Sequence, residues 1–184
     1  MGKIDQLAQS YKRHIEVPWR TDAAPPQRVI FCIYHETEEL RLRTKIDEFE
    51  QCTRQSNHEW VLFDITDTFA EWLSTQRYAK KYFEKPNLLS SIIQTSFLTF
   101  LQERFKRFIA EQKIDNNTVV AVLGVGSLFG LLKVKEVVEK YAPRVSGRLL
   151  VFFPGSYEDN NYRLLDAYDG WNYLAVPITA DKGS

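Results

Sequence analysis

The chain of 184 residues predicts an α/β fold: an open, mainly parallel sheet of about five strands with helices on both faces, Rossmann-like or degenerate P-loop-like. Short runs rich in β-branched and aromatic residues recur along it. The first three are each followed by a segment of helical periodicity, and two, around Phe31 and Val120, are apolar throughout, as strands buried on both faces require.

Ile4 to Ile15 has weak helical periodicity and stops at Pro18-Trp19, before a Pro/Ala-rich linker from Thr21 to Gln27. Residues 1–27 are thus expected to be a helix and linker, 28–179 one α/β domain, and 180–184 a tail. Arg28 to Tyr34 predicts the first strand, and Glu36 to Arg54 a helix with Leu40, Ile46 and Phe49 on one face. Glu59 to Ile65 predicts a second strand, after which Thr68 and Glu71 have the spacing of a capping box. Leu88 to Lys113 predicts the longest helix, with a stripe of Leu89, Ile93, Phe97, Phe100, Arg104 and Phe108. Asn117 to Leu123 predicts a third strand, and Leu128 to Tyr141 an apolar helix closed by Pro143. Arg148 to Phe153 predicts a fourth strand, ended by Pro154-Gly155, and Tyr173 to Ile178 a fifth. Asp169-Gly170 between them has the signature of a hairpin turn.

Hydrophobic residues make up 44%, with 12 Phe, 9 Tyr and 4 Trp, enough apolar material to offset chain entropy and exclude a disordered chain. Lys plus Arg and Asp plus Glu both number 24, so the neutral net charge disfavours a polybasic nucleic-acid binder. The basic, aromatic cluster Tyr78, Lys80, Lys81, Tyr82 and Phe83 would suit a single-strand binder, but suits packing under a loop better. With two cysteines and no hydrophobic signal core after Met1, the chain is expected in a reducing cytoplasm.

Ligands of open α/β sheets bind beyond the carboxyl ends of the strands, which singles out Asp64, Gly124, Gly126 and Ser127. The glycine loop from Gly124 to Gly130 could turn backbone N–H groups toward a phosphate. Yet Gly130 is followed by Leu131-Leu132, not the Lys-Ser/Thr of a P-loop, and the G-x-G-x-x-x-G spacing misses the dinucleotide fingerprint by one residue. Glycines placed for a tight turn and close helix-to-sheet packing, with Ser127 as helix N-cap, account for the loop better. Asp64 has the position of a magnesium-holding acid or of a turn residue; a nuclease would need a second carboxylate and a Lys or His brought beside it. Cys32, His35, Cys52 and His58 match no common zinc spacing, so no metal or cofactor is expected.

The run Phe152-Phe153-Pro154-Gly155, with Asn161-Tyr162-Arg163-Leu164-Leu165-Asp166 and Gly170-Trp171-Asn172-Tyr173-Leu174-Ala175-Val176-Pro177-Ile178, resembles the BrxB family of bacteriophage-exclusion (BREX) defence systems. Gly126-Ser127-Leu128-Phe129-Gly130, Phe69-Ala70-Glu71-Trp72, Tyr82-Phe83 and Pro18-Trp19 are similar to that family too, so the resemblance runs from Pro18 to Thr179. It implies a cytoplasmic, non-enzymatic adaptor acting with PglZ, an alkaline-phosphatase-like protein, or with the methyltransferase PglX or the large ATPase BrxC. It transfers no catalytic residue. Tyr157, Tyr162, Arg163 and Trp171 are the candidate partner-binding residues, since aromatics and arginine dominate interface hot spots. The alternative is a nucleotide-binding or metal-dependent nuclease component working at the strand ends.

Overall fold

The computed structural model describes residues 1–77, 79–171 and 174–180, and the side chains within them except those of 79, 82, 83, 88 and 171. Its strands are β1 (Val29–Tyr34), β2 (Glu59–Asp64), β3 (Thr118–Leu123), β4 (Arg148–Glu158), β5 (Asn161–Leu164), β6 (Ala167–Trp171) and β7 (Val176–Thr179). Five of them lie in the order β2-β3-β4-β1-β7 and pair in parallel, with Phe31 opposite Val151 and Val61 opposite Val120. Every position of β1 and β3 is buried, which is why these two segments read as continuous apolar runs.

The sheet is nevertheless mixed and has seven strands, not about five parallel ones. β4 does not stop at Pro154-Gly155: Pro154 still pairs with Tyr34, and beyond it the strand turns to an antiparallel partner, β5, which pairs with β6. The hairpin turn is Asp159-Asn160, both at positive φ (51° and 64°), as a two-residue turn of matching twist requires. Asp169-Gly170 is inside β6 rather than at a turn, with Gly170 opposite Tyr162.

Helices cover both faces. On one, α1 (Lys3–Ile15), α2 (Glu39–Thr44) and α3 (Ile46–Gln55) pack Leu7, Tyr11, Leu42 and Phe49 against Ile30, Cys32 and Phe152. On the other, Phe31, Val122 and Phe153 meet α4 (Thr68–Ser74), α6 (Asn87–Ile92), α7 (Leu98–Glu111) and α8 (Val134–Tyr141); α5 is Ala79–Glu84. Alternate residues of β1, β2, β3 and β4 thus feed two separate cores, as the two-residue period dictates.

Local departures from expectation have local causes. The segment after β1 is a 3-10 turn at Glu36–Glu38 and then two helices, broken at Lys45. Thr68 forms no capping box: its hydroxyl donates to the Ile65 carbonyl (2.7 Å), and Glu71 pairs with Arg104 of α7. A π turn at Ile93–Phe97 joins α6 to α7 and adds about one residue to that turn. The buried stripe therefore runs Ile93, Phe97, Leu101, Phe105, and leaves Phe100, Arg104 and Phe108 half-buried. No helix among the described residues is long and apolar enough to cross a membrane. The cluster around Lys80-Lys81 cannot be placed as a unit, since Tyr78 and the side chains of Tyr82 and Phe83 lie outside the described residues; residues 172–173 and 181–184 lie outside them too.

Candidate functional site

β1, β2 and β3 all end at one edge of the sheet, and a cleft of about 320 Å³ lies there, bounded by residues that follow those strands, Glu39, Arg43, Thr66 and Gly124, and by Pro154 of β4. Its polar centre is built from three elements. The Tyr34 hydroxyl donates to Glu39 Oε2, and Arg43 Nε donates to Glu39 Oε1 at 2.9 Å. Arg43 Nη2 donates to Thr66 Oγ1 at 2.9 Å, and Nη1 lies 3.6 Å from Asp64 Oδ2. Asp64 Oδ1 accepts from the Thr66 amide at 2.9 Å and from its hydroxyl, so this acid orders the turn after β2.

The fold does bring a second carboxylate toward Asp64, but the group between the two is an arginine. A guanidinium keeps its proton at any physiological pH, so Arg43 compensates the acids and supplies no base. Burial and the Glu39 carboxylate hold the Tyr34 hydroxyl above its ordinary value, which keeps it a donor. Among the described residues no group of three His, Cys, Asp or Glu is arranged to hold a metal ion. Cys32 is fully buried, and burial pushes its thiol up, which disfavours the nucleophilic thiolate. Glu39 and Arg43 escaped the sequence reading because they sit on a charged helix face that looks solvated.

The glycine loop is a 3-10 turn, Val125–Leu128, and Leu128 does not begin a helix; α8 starts at Val134. The amides of Ser127, Phe129, Leu131 and Leu132 donate to carbonyls of Gly124, Gly126 and Leu128 within the loop itself. Four donors that could have faced a phosphate are thereby engaged. Ser127 is no N-cap: its hydroxyl donates to Gly124 O at 2.7 Å and to Ile65 O at 3.3 Å, pinning the loop to the turn after β2.

The true cap of α8 comes from β6. The buried Asp169 accepts from the Val134 amide at 2.6 Å and the Lys135 amide at 3.0 Å. Burial pushes its carboxyl above the ordinary 3.8, outweighing those two amides and Lys133, which pull it down; Glu136 adds to the rise. The folded chain then binds this proton more tightly than the unfolded chain. Its contribution to stability is full below 3.8 and is lost as pH rises through the raised value. Asp169→Asn should flatten that slope in urea unfolding measured across pH, whereas Asp169→Ala should cost about 2 kcal/mol by stranding two amides.

The candidate partner-binding residues of the hairpin separate into different environments. Tyr162 is 1% exposed, edge-on to Phe31 and Phe153 and tilted against Tyr157, with its hydroxyl donating to Ala175 O at 3.3 Å. It is core. Tyr157 is half-buried and donates to Asn160 Oδ1, while the exposed Arg163 donates to the Asp166 backbone carbonyl at 2.7 Å rather than to an acid. The side chain of Trp171 lies outside the described residues. Among the described residues the exposed aromatics are Phe129, 42% exposed, and Tyr168, 49% exposed. They line one cleft of about 270 Å³ with Leu131, Lys133 and Gln94, and the Lys133 ammonium lies 5.6 Å from the Tyr168 ring centre. An aromatic beside a glycine loop, at a position no buried stripe needs, was the signal for Phe129.

Fold and site together define a mixed α/β protein whose strand-end cleft holds one arginine between two acids and whose glycine loop is bonded to itself. The family model described as BREX protein BrxB matches residues 61–178, more than half of the chain. The chain belongs to the BrxB family and is a component of a BREX defence system. The matched span starts inside β2 and leaves out Pro18-Trp19. Comparison with curated proteins and with solved structures gives no match.

Proposed function

We propose that this protein is a non-enzymatic adaptor that binds a large BREX partner, with PglZ the first to test and PglX and BrxC the others. The observation that carries the reading is the pair of exposed aromatics, Phe129 and Tyr168, on either side of one cleft. Exposed aromatic rings bury much area with few rotamers when a partner covers them. The strand-end cleft supports the same reading, because Arg43 pairs with both acids that a metal-dependent hydrolase would leave open. Lys133, which lines the same cleft, adds a cation 5.6 Å from the Tyr168 ring centre.

Phe129→Ala and Tyr168→Ala are each expected to weaken capture of PglZ by about 2 kcal/mol, with melting temperatures unchanged because neither ring is core. Affinity measured by titration of purified PglZ, beside thermal unfolding of the same variants, checks this. Wild-type affinity for PglZ, PglX and BrxC in both stably folded variants would remove this cleft from the adaptor role.

A further inference from the structure

At the opposite, amino-terminal end of the sheet, the chain between α1 and β1 crosses below the first residues of β4 and β7 and encloses a cleft of about 310 Å³. Its floor is Arg148, the first residue of β4, only 8% exposed. Among the described residues, two of the five N–H donors of that guanidinium are used, on Gly147 O (3.0 Å) and Arg20 O (3.3 Å). Its carbon lies 4.7 Å from the centre of the Trp19 ring, which is itself stacked on His58 at 3.7 Å.

A buried cation is normally paired with an acid. Among the described residues Arg148 has no carboxylate within 4.0 Å, and the side chains lining the cleft include no Asp or Glu. Arg28 stands near enough to repel it, lacks a carboxylate in the same way, and keeps a buried Nε without a hydrogen-bond partner. Burial and Arg148 hold His14 below its ordinary value, so near neutral pH the charge of the site is that of the arginines. The acids close in sequence are engaged elsewhere: Glu16 is exposed and lies 3.8 Å from the Lys12 ammonium, and Asp22 is exposed and paired with Arg20. The rim is of a different character: Val17 and Leu174, both exposed, line the same cleft with Pro18 and Val176.

We propose that this cleft binds an organic carboxylate, whose charged end meets Arg148 and whose apolar part lies against Val17 and Leu174. The planar fork of the guanidinium matches a carboxylate, and the pair gains strength from burial. The apolar rim sets the class: a bare inorganic anion would gain nothing from Val17 and Leu174. Trp19 is engaged with His58 and Arg148, which argues against a ligand recognised by ring stacking. The site is independent of the Phe129–Tyr168 cleft and of the adaptor reading.

The test uses the full chain and follows the Trp19 indole and Arg148 Nε–H signals by NMR. The probes are hexanoate, an acetylated dipeptide ending in leucine with a free carboxylate, 1-hexanol and inorganic phosphate. Saturable shifts at both signals are expected with hexanoate or the dipeptide, and the tighter of the two names the source as a free acid or a chain end. The shifts should be lost in Arg148→Gln and, should that variant not fold, in Leu174→Glu, where an acid at the exposed rim repels the probe. Equal binding of 1-hexanol or of phosphate overturns the proposal, as does the absence of saturation with either carboxylate, or undiminished binding in a folded variant.

Discussion

Gly124→Val is expected to lower the unfolding free energy by about 4 kcal/mol, through left-handed backbone strain and overpacking together. Gly124 sits at φ 93°, where a β-branched side chain is strongly disfavoured. A Cβ there would stand 2.4 Å from Thr66 Oγ1, 2.7 Å from the Thr66 amide nitrogen and 2.9 Å from Asp64 Oδ1. Neither Thr66 nor Asp64 can retreat cheaply, since they are bonded to each other and to Arg43. Gly130 separates the two causes: it has φ 75° but nothing within 4 Å of where its Cβ would be. Gly130→Ala should therefore cost only about 1 kcal/mol, from strain alone. Urea unfolding of the two variants measures both, and a wild-type midpoint for Gly124→Val would show that the loop yields to a side chain.

Tyr162→Ala is expected to cost about 3 to 5 kcal/mol of stability, the range for removing a large buried aromatic. The ring meets Phe31 at 4.9 Å, Phe153 at 5.9 Å and Tyr157 at 4.7 Å, so its loss opens a cavity where the hairpin sits on the parallel sheet. Burial also raises its hydroxyl well above the ordinary value, which keeps it a neutral donor to Ala175 O. Any loss of PglZ capture in this variant should track its fraction unfolded, unlike the losses expected for Phe129→Ala and Tyr168→Ala. Thermal unfolding within a few degrees of wild type would mean that the hairpin is loosely held.

The parallel strands were legible because burial on both faces writes itself as an uninterrupted apolar run, as in Val29–Tyr34 and Thr118–Leu123. The helix from residue 87 to 111 was legible from its stripe, but not the π turn that moves its buried face to Leu101 and Phe105. β5 and β6 were not, because they are short and partly polar, and Pro154-Gly155 looks like an end when it is a change of partner. The family resemblance, carried by the long run from Phe152 to Ile178, was also within reach of the sequence, and the family match covers that run.

The sequence by itself determined the α/β class, helices on both faces of the sheet, and the family, since all three rest on local periodicity or on contiguous motifs. Only the tertiary structure decided what the marked residues do. Asp64 meets Arg43 across 21 positions of chain, Asp169 caps a helix that begins 35 positions before it, and Arg148 lies against Trp19 from the far end of the domain. The physical reason is that charge compensation, capping and burial depend on which side chains the crossover connections bring within a few ångströms. No spacing along the chain encodes that distance.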